Sequence, residues 1–189
     1  HSEGVFERER CSAIKTIQLP DGIKSISELS VTALSSLESI NIPEGVTLIG
    51  NYAFSGCSSL KSLTIPSSVT TIETYNTFEN CAGTRGGAIH GTSTASNLKI
   101  DNCNFTNNRG DWGQNIGDVY LEGSNGEISN SNFNGGSFGA IYATSDVKIS
   151  NSNIENYNSG SVAIVDLRGT SNINNVNFTN NRNTAWNLG

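Results

Sequence analysis

Residues 34–46, LSSLESINIPEGV, are repeated almost unchanged by residues 57–69, CSSLKSLTIPSSV. The three prolines, Pro20, Pro43 and Pro66, recur every 23 residues. Five apolar columns keep the same interval: Ile14, Leu37, Leu60; Ile17, Ile40, Leu63; Leu19, Ile42, Ile65; Ile23, Val46, Val69; and Ile26, Ile49, Ile72. Alternating apolar residues indicate a short strand with one face inward, and proline ends it because proline cannot donate a ladder hydrogen bond. The pattern predicts a solenoid of stacked rungs.

The 23-residue rung resembles the BspA-type leucine-rich repeat, whose pattern is roughly C-x-S-L-x-x-I-x-I-P-x-x-V-x-x-I-G-x-x-A-F. Residues 49–69, IGNYAFSGCSSLKSLTIPSSV, match this pattern closely. Residues 26–34 depart from it, because Val31 replaces the phenylalanine and Leu34 replaces the cysteine. The resemblance covers about 11–81, implies a surface-protein repeat and does not identify what is bound.

A second motif follows a change of composition near residue 82, after which asparagine becomes frequent. The motif reads IDNCNF, ISNSNF, ISNSNI and INNVNF at 100–105, 128–133, 149–154 and 173–178. Short apolar runs between the copies give each coil at least two strands, which predicts a parallel β-helix. Stacked amides can hydrogen-bond along the axis, and asparagine tolerates a left-handed turn. We therefore expect an asparagine ladder at Asn102, Asn130, Asn151 and Asn175.

The tetrapeptides GGAI at 86–89 and FTNN at 105–108 and 178–181 resemble those of polymorphic outer-membrane-protein (Pmp-like) repeats. This resemblance covers about 86–181 and implies a right-handed β-helix like those of surface adhesins. The combined prediction is an all-β solenoid in which leucine-rich-repeat rungs continue into a right-handed parallel β-helix. Its parts are an N-terminal cap or extension at 1–12, BspA-like repeats at 13–81 and the β-helix at 82–189.

The four cysteines form no C-x-x-C pair, which disfavours a zinc knuckle or a thioredoxin-like site. Cys11, Cys57 and Cys81 share a repeat column with Leu34, so burial as free thiols is one interpretation. The alternative is a disulfide between neighbouring rungs, Cys57–Cys81 or Cys81–Cys103, because stacked residues lie about 4.8 Å apart and a bridge tolerates that distance.

Composition and charge exclude several functions. The net charge of −6 argues against nucleic acid and anionic membranes as partners, and no apolar run is long enough for membrane insertion. Acidic residues after 82 are dispersed; Asp146, Asp166 and Arg168 would approach one another on successive rungs, but a solvated turn face explains them better. We expect no enzyme, catalytic residue, metal or cofactor. The alternative is a polysaccharide-active β-helix enzyme, a lyase or hydrolase.

Two surface features are candidate sites. Asn104 and Asn177 begin N-x-[ST] sequons, which either carry N-linked glycans or arise only because the motif spells a sequon. Tyr120 and Tyr142 lie at equivalent strand positions and predict either an exposed stripe for carbohydrate or packing in the core.

Both resemblances imply a non-enzymatic extracellular or cell-surface protein, adhesive or fibre-forming. Residues 179–189 follow the last motif copy without a polar or proline-bearing cap. Because an open solenoid end recruits strands, either a longer chain or head-to-tail stacking of another copy is expected there. The expected partners are therefore the chain itself, or a host or cell-surface protein or glycan.

Overall fold

The computed structural model describes residues 13–61, 63–74, 76–83, 87–110, 117–136, 138–160 and 163–182. The described residues contain strands and turns without a helix, and the strand pairs are parallel. This confirms the predicted all-β solenoid, while its right-handedness stays a prediction. The proposed N-terminal cap at 1–12 lies outside the described residues.

The strands, in chain order, are Thr16–Gln18 (β1), Ser25–Ile26 (β2), Ser39–Asn41 (β3), Leu48–Ile49 (β4), Leu63–Ile65 (β5), Thr71–Ile72 (β6), Thr77–Glu79 (β7), Ala82–Gly83 (β8), Ile89–Gly91 (β9), Lys99–Asp101 (β10), Asn104–Gly110 (β11), Val119–Leu121 (β12), Gly126–Ser129 (β13), Asn132–Gly136 (β14), Ile141–Ala143 (β15), Val147–Tyr157 (β16), Val165–Leu167 (β17) and Asn172–Thr179 (β18).

Three ladders run along the solenoid. The front sheet has the order β17-β15-β12-β9-β5, and β1 pairs with β3 separately. The back ladder has the order β2-β4-β6-β10-β13-β16, and the side ladder has the order β7-β11-β14-β16. The long strand β16 joins the back and side ladders, and β18 pairs with it along both. The core lies between the three ladders.

Two apolar columns run through the core from rung to rung. The first contains Ile26, Ile49, Ile72, Ile100, Ile128 and Ile149, all buried. The second contains the buried rings of Phe54, Phe78, Phe105 and Phe133, whose successive centroids lie 6.5, 5.3 and 4.6 Å apart. The pairs Ile72–Ile100 and Phe78–Phe105 cross the composition change near residue 82, so stacking is continuous there.

The asparagine column occupies a left-handed corner, in agreement with the expected backbone. The φ angles of Asn102, Asn130, Asn151 and Asn175 are 48, 52, 48 and 52°. The amide ladder itself is partial: the Asn175 amide donates to Asn151 (2.9 Å), whereas the Asn130 amide donates to the Asp101 carboxylate (2.7 Å). The ladder is incomplete because a carboxylate accepts more strongly than a neutral amide.

Close backbone approach explains the glycine that begins one of the apolar runs. A Cβ atom on Gly117 would lie 1.3 Å from the carbonyl oxygen of Gly139 on the next rung. No side chain fits in that space, so glycine is required where the two corners stack.

Candidate functional site

The front of the solenoid contains a groove at the seam between β3 and β5. Among the described residues no ladder joins these two strands, although both continue the same repeat position. The Asn41 side chain instead bonds back to Leu19, accepting from its amide (2.6 Å) and donating to its carbonyl (3.3 Å). The resulting front groove has a volume of about 510 Å³ and is lined by Ile40, Asn41, Ile42, Glu44, Thr64, Pro66, Thr92 and Thr94. That volume suits a small ligand or a few side chains.

The front groove has an aliphatic floor and hydroxyl-bearing walls. Ile40 and Ile42 are buried, while Thr64 and Thr94 are exposed. The Thr92 hydroxyl lies 3.3 Å from the carbonyl oxygen of Ile65 and 3.1 Å from the Thr94 hydroxyl. The groove therefore offers an apolar surface together with groups that donate and accept hydrogen bonds.

One carboxylate of the front groove has no cationic partner among the described residues. Glu44 is exposed and accepts a hydrogen bond from the neutral Ser67 hydroxyl (3.0 Å). Glu38 differs, because its oxygens contact Lys61 at 3.0 Å and Lys15 at 3.1 Å, and these ammonium groups lower its pKa. The wall of the groove thus carries a negative charge available to a ligand.

The two predicted surface tyrosines lie in a ring column on the outer face of the front sheet. His90, Tyr120 and Tyr142 are in register, with centroids 5.2 Å apart at each step. Arg168 lies 5.3 Å from the Tyr142 ring centre. Tyr120 is only 9% exposed, so the prediction of an exposed stripe is wrong for this residue. His90 stacks on a face of the Tyr120 ring, with 16° between the ring planes, whereas Tyr142 meets that ring edge-on at 65°.

The structure reveals a buried carboxyl that the sequence analysis had grouped with the dispersed surface acids. Asp118 is fully buried and accepts a 2.6 Å hydrogen bond from the Tyr157 hydroxyl, while its Oδ1 atom has no hydrogen-bond partner among the described residues. Burial raises the pKa of Asp118 to about 8, although the Tyr157 hydrogen bond acts in the opposite direction. The sequence held a signal, because Asp118 stands in register with the buried residues Ala88 and Ala140.

The cysteines at 57, 81 and 103 are buried free thiols, and Cys11 lies outside the described residues. The Cys81–Cys103 bridge is wrong because of the register: Cys103 stacks over Asn76, and Cys81 stacks under Asn108. The Cys57–Cys81 bridge is also not formed. The Cys57 sulfur instead donates to the carbonyl of Val31 (3.1 Å). Burial raises the pKa of the three thiols to about 11, 12 and 12 in chain order.

The sequon residues lie in one outward column, and their glycosylation stays a prediction. Asn104 is half-buried and precedes the fully buried Phe105. Asn177 is exposed, and its amide donates to the Asn153 side chain (3.1 Å).

The two carboxylates considered for catalysis, Asp146 and Asp166, bond to different groups in the structure. The Asp146 carboxylate accepts from the backbone amide of Thr170 (2.6 Å), and Asp166 lies 3.7 Å from Arg168. Within the described ranges, no three His, Cys, Asp or Glu side chains are grouped so that they could hold a metal ion. No helix among these residues is long and apolar enough to cross a membrane.

Comparison with known proteins identifies the repeat. The model of the BspA type leucine rich repeat region matches residues 3–111 and 36–159, in six copies. The match extends beyond residue 81, where the sequence analysis ended these repeats. No curated protein and no solved structure matches the chain. The resemblance of 86–181 to Pmp-like repeats stays a prediction.

Proposed function

The chain belongs to the BspA type leucine rich repeat region family, and from this premise we propose that it is a non-enzymatic recognition protein of the extracellular space or cell surface. The repeats supply a rigid row of parallel strands, and the front groove supplies a binding site on that row. The partner is a surface protein or glycan that contacts the groove. The family resemblance supports the location, and the groove is the observation that carries the binding role.

The alternative of a polysaccharide-active enzyme receives no support from the described residues. Asp146 caps a turn and Asp166 faces Arg168, so neither belongs to the paired carboxylates that glycoside hydrolysis requires. The front groove contains one carboxylate, Glu44, beside hydroxyl and aliphatic groups. Such a lining can bind a ligand but lacks the second carboxylate of a hydrolase.

An attachment assay tests the recognition role. Beads coated with the chain should attach to a cultured epithelial monolayer more than albumin-coated beads do. Thr64→Trp fills the groove from an exposed position and should reduce attachment several-fold. The control is Thr70→Trp, which changes an exposed residue beside the back ladder and should leave attachment unchanged. Wild-type attachment at the albumin level, or equal loss in both variants, would contradict the proposal.

A second candidate function is fibre formation, and it has its own observation. Ile173 and Phe178 belong to the two core columns, yet they are 48% and 51% exposed on the last described rung. Another rung placed on β17 and β18 would bury both side chains and pair the strand edges. A second copy of the chain supplies such a rung in a head-to-tail fibre.

Electron microscopy of negatively stained protein at neutral pH tests fibre formation. Filaments are expected for the wild type, and Phe178→Lys should abolish them because it places a charge in the contact. Thr106→Lys, on a lateral face, is the control that should still form filaments. Isolated rods in every sample would refute the fibre and leave the recognition role unaffected.

A further inference from the structure

We propose that the front groove binds an extended peptide segment in which a lysine or arginine side chain lies beside an aliphatic side chain. The inference rests on the proposed recognition function and names the ligand class for that site. It follows from three properties of the groove, namely its negative charge, its apolar floor and a lining without aromatic side chains.

The charge comes from Glu44. Its carboxylate is exposed, and its partner among the described residues is the neutral Ser67 hydroxyl at 3.0 Å. Lys24 lies near the same turn, since its Nζ is 3.5 Å from where a Cβ of Gly45 would be, yet it forms no ion pair with Glu44 within 4 Å. A ligand ammonium or guanidinium placed at this wall gains an ion pair without displacing one.

The apolar floor lies next to that charge. Ile40 and Ile42 retain 7% and 9% exposure, and Pro66 is half-buried beside them. An aliphatic side chain resting there removes the remaining apolar surface from water, which favours binding. The Thr64 and Thr94 hydroxyls at the rim can exchange hydrogen bonds with the backbone of an extended segment.

The lining favours a peptide over a sugar. None of the residues that line the front groove is aromatic, so no flat ring is present for a pyranose to stack on. The nearest aromatic side chains in the same register belong to the ring column, where His90 and Tyr120 stack on each other at 5.2 Å. A branched aliphatic floor with an adjacent carboxylate matches the paired aliphatic and cationic side chains of a peptide.

Binding of three labelled pentapeptides, measured by fluorescence anisotropy, tests this assignment. The peptides are Gly-Val-Lys-Val-Gly and the same sequence with Gln or Glu in the centre. The wild type should bind the Lys peptide best and the Glu peptide least, with about a threefold change at each step, as expected for a solvent-exposed ion pair. Glu44→Gln should remove this order and Glu44→Lys should reverse it. Glu127→Gln removes an exposed carboxylate on the back ladder and should change nothing.

Four other results would overturn the peptide proposal. Equal affinity of the wild type for the three peptides, or an unchanged order in Glu44→Gln, would overturn the proposal, provided that circular dichroism shows folded protein. Absence of binding at about 1 mM peptide would also overturn it, and binding of a chitosan oligosaccharide instead would assign the groove to an amino sugar. Bead attachment that persists without peptide binding would retain the recognition role and remove only the peptide.

Discussion

Asp118 shows how one buried residue makes the stability of this solenoid depend on pH. Its carboxyl lies in the core, accepts a hydrogen bond from Tyr157 and also interacts with the Asn108 side chain. The other ionisable group that faces it, the Cys81 thiol, has a pKa of about 12. Because the folded-state pKa of Asp118 is about 8 and its ordinary value is 3.8, the folded protein binds the proton more tightly. Stability therefore falls as the pH rises from about 4 to about 8.

Replacing this carboxyl by an amide should remove that dependence. Asp118→Asn keeps an oxygen that accepts from Tyr157 and cannot ionise, so we expect it to be more stable than the wild type at pH 8 by several kcal/mol. Urea unfolding at pH 5 and pH 8 measures the effect. The control, Asp166→Asn, changes a partly exposed carboxylate and should leave the wild-type pH dependence in place. The same pH dependence in Asp118→Asn and the wild type would contradict this account.

Leu29 combines a left-handed backbone, with a φ of 57°, and a side chain that is 53% exposed. Tyr52 takes the same conformation one repeat later, with a φ of 54°, and asparagine occupies left-handed corners on the later rungs. Leu29→Asn should stabilise the protein by about 1 kcal/mol, because asparagine adopts this conformation more easily than leucine. Asn151→Leu, the reverse change, should destabilise it by a similar amount. Thermal unfolding measures both changes. A loss of stability in Leu29→Asn would show that contacts of the leucine side chain stabilise the fold by more than its backbone conformation costs.

The burial of a residue was predictable from the sequence where its column repeats the same residue type, and it was missed where one member of the column differs. Ile100 and Phe105 were placed in the core because their columns hold apolar residues at each copy. Asp118 was misjudged as a surface acid because it was assessed with the other acids and not in register with Ala88 and Ala140, which are buried. Alignment of the apolar runs would have placed it inside.

At the scale of elements, a phenylalanine of the core column is buried only when rungs lie on both sides of it. Phe105→Ala should cost about 3–5 kcal/mol, since the ring is fully buried between two others and a cavity would remain. Phe178→Ala, in the same column, should cost about 1 kcal/mol or less because half of its side chain is already exposed. Urea unfolding of the two variants checks this, and equal losses would mean that Phe178 is covered in solution.

The register between elements could not be read from the repeats alone. The step from Ile72 to Ile100 is one residue longer than the step from Phe78 to Phe105. The corner between these strands absorbs the difference. Cys103, two residues before Phe105, stacks over Asn76, whereas Cys81, three residues after Phe78, belongs to the next corner and stacks under Asn108. A corner of variable length keeps both strands in their ladders, so strand motifs predict the pairing but not the partner of each corner residue. The front groove was missed for a similar reason, because no motif marks the missing β3–β5 ladder.

At the scale of the whole molecule, stability should decrease toward the last described rung. Each rung of a solenoid is stabilised by its two neighbours, and within the part of the chain that the structure describes β18 pairs only with β16. Hydrogen exchange followed by mass spectrometry should show faster exchange in Asn172–Thr179 than in Val147–Tyr157, whose strand is paired on both sides. If the two segments exchange at the same rate, another rung must cover β18 in solution.

The seam at the front groove also has a mechanical consequence. At this level the back ladder passes without interruption from β4 to β6, whereas β3 and β5 share no ladder on the front. Force applied along the rod meets the paired strands β4 and β6 on one side and, on the other, isolated bonds such as that from the Lys61 amide to the Glu38 carbonyl (3.1 Å). The rod is therefore most compliant at this level and bends by widening the front while the back serves as the pivot. A tensile load along the rod would in this way change the width of the front groove, and with it the affinity for the peptide that we propose it binds.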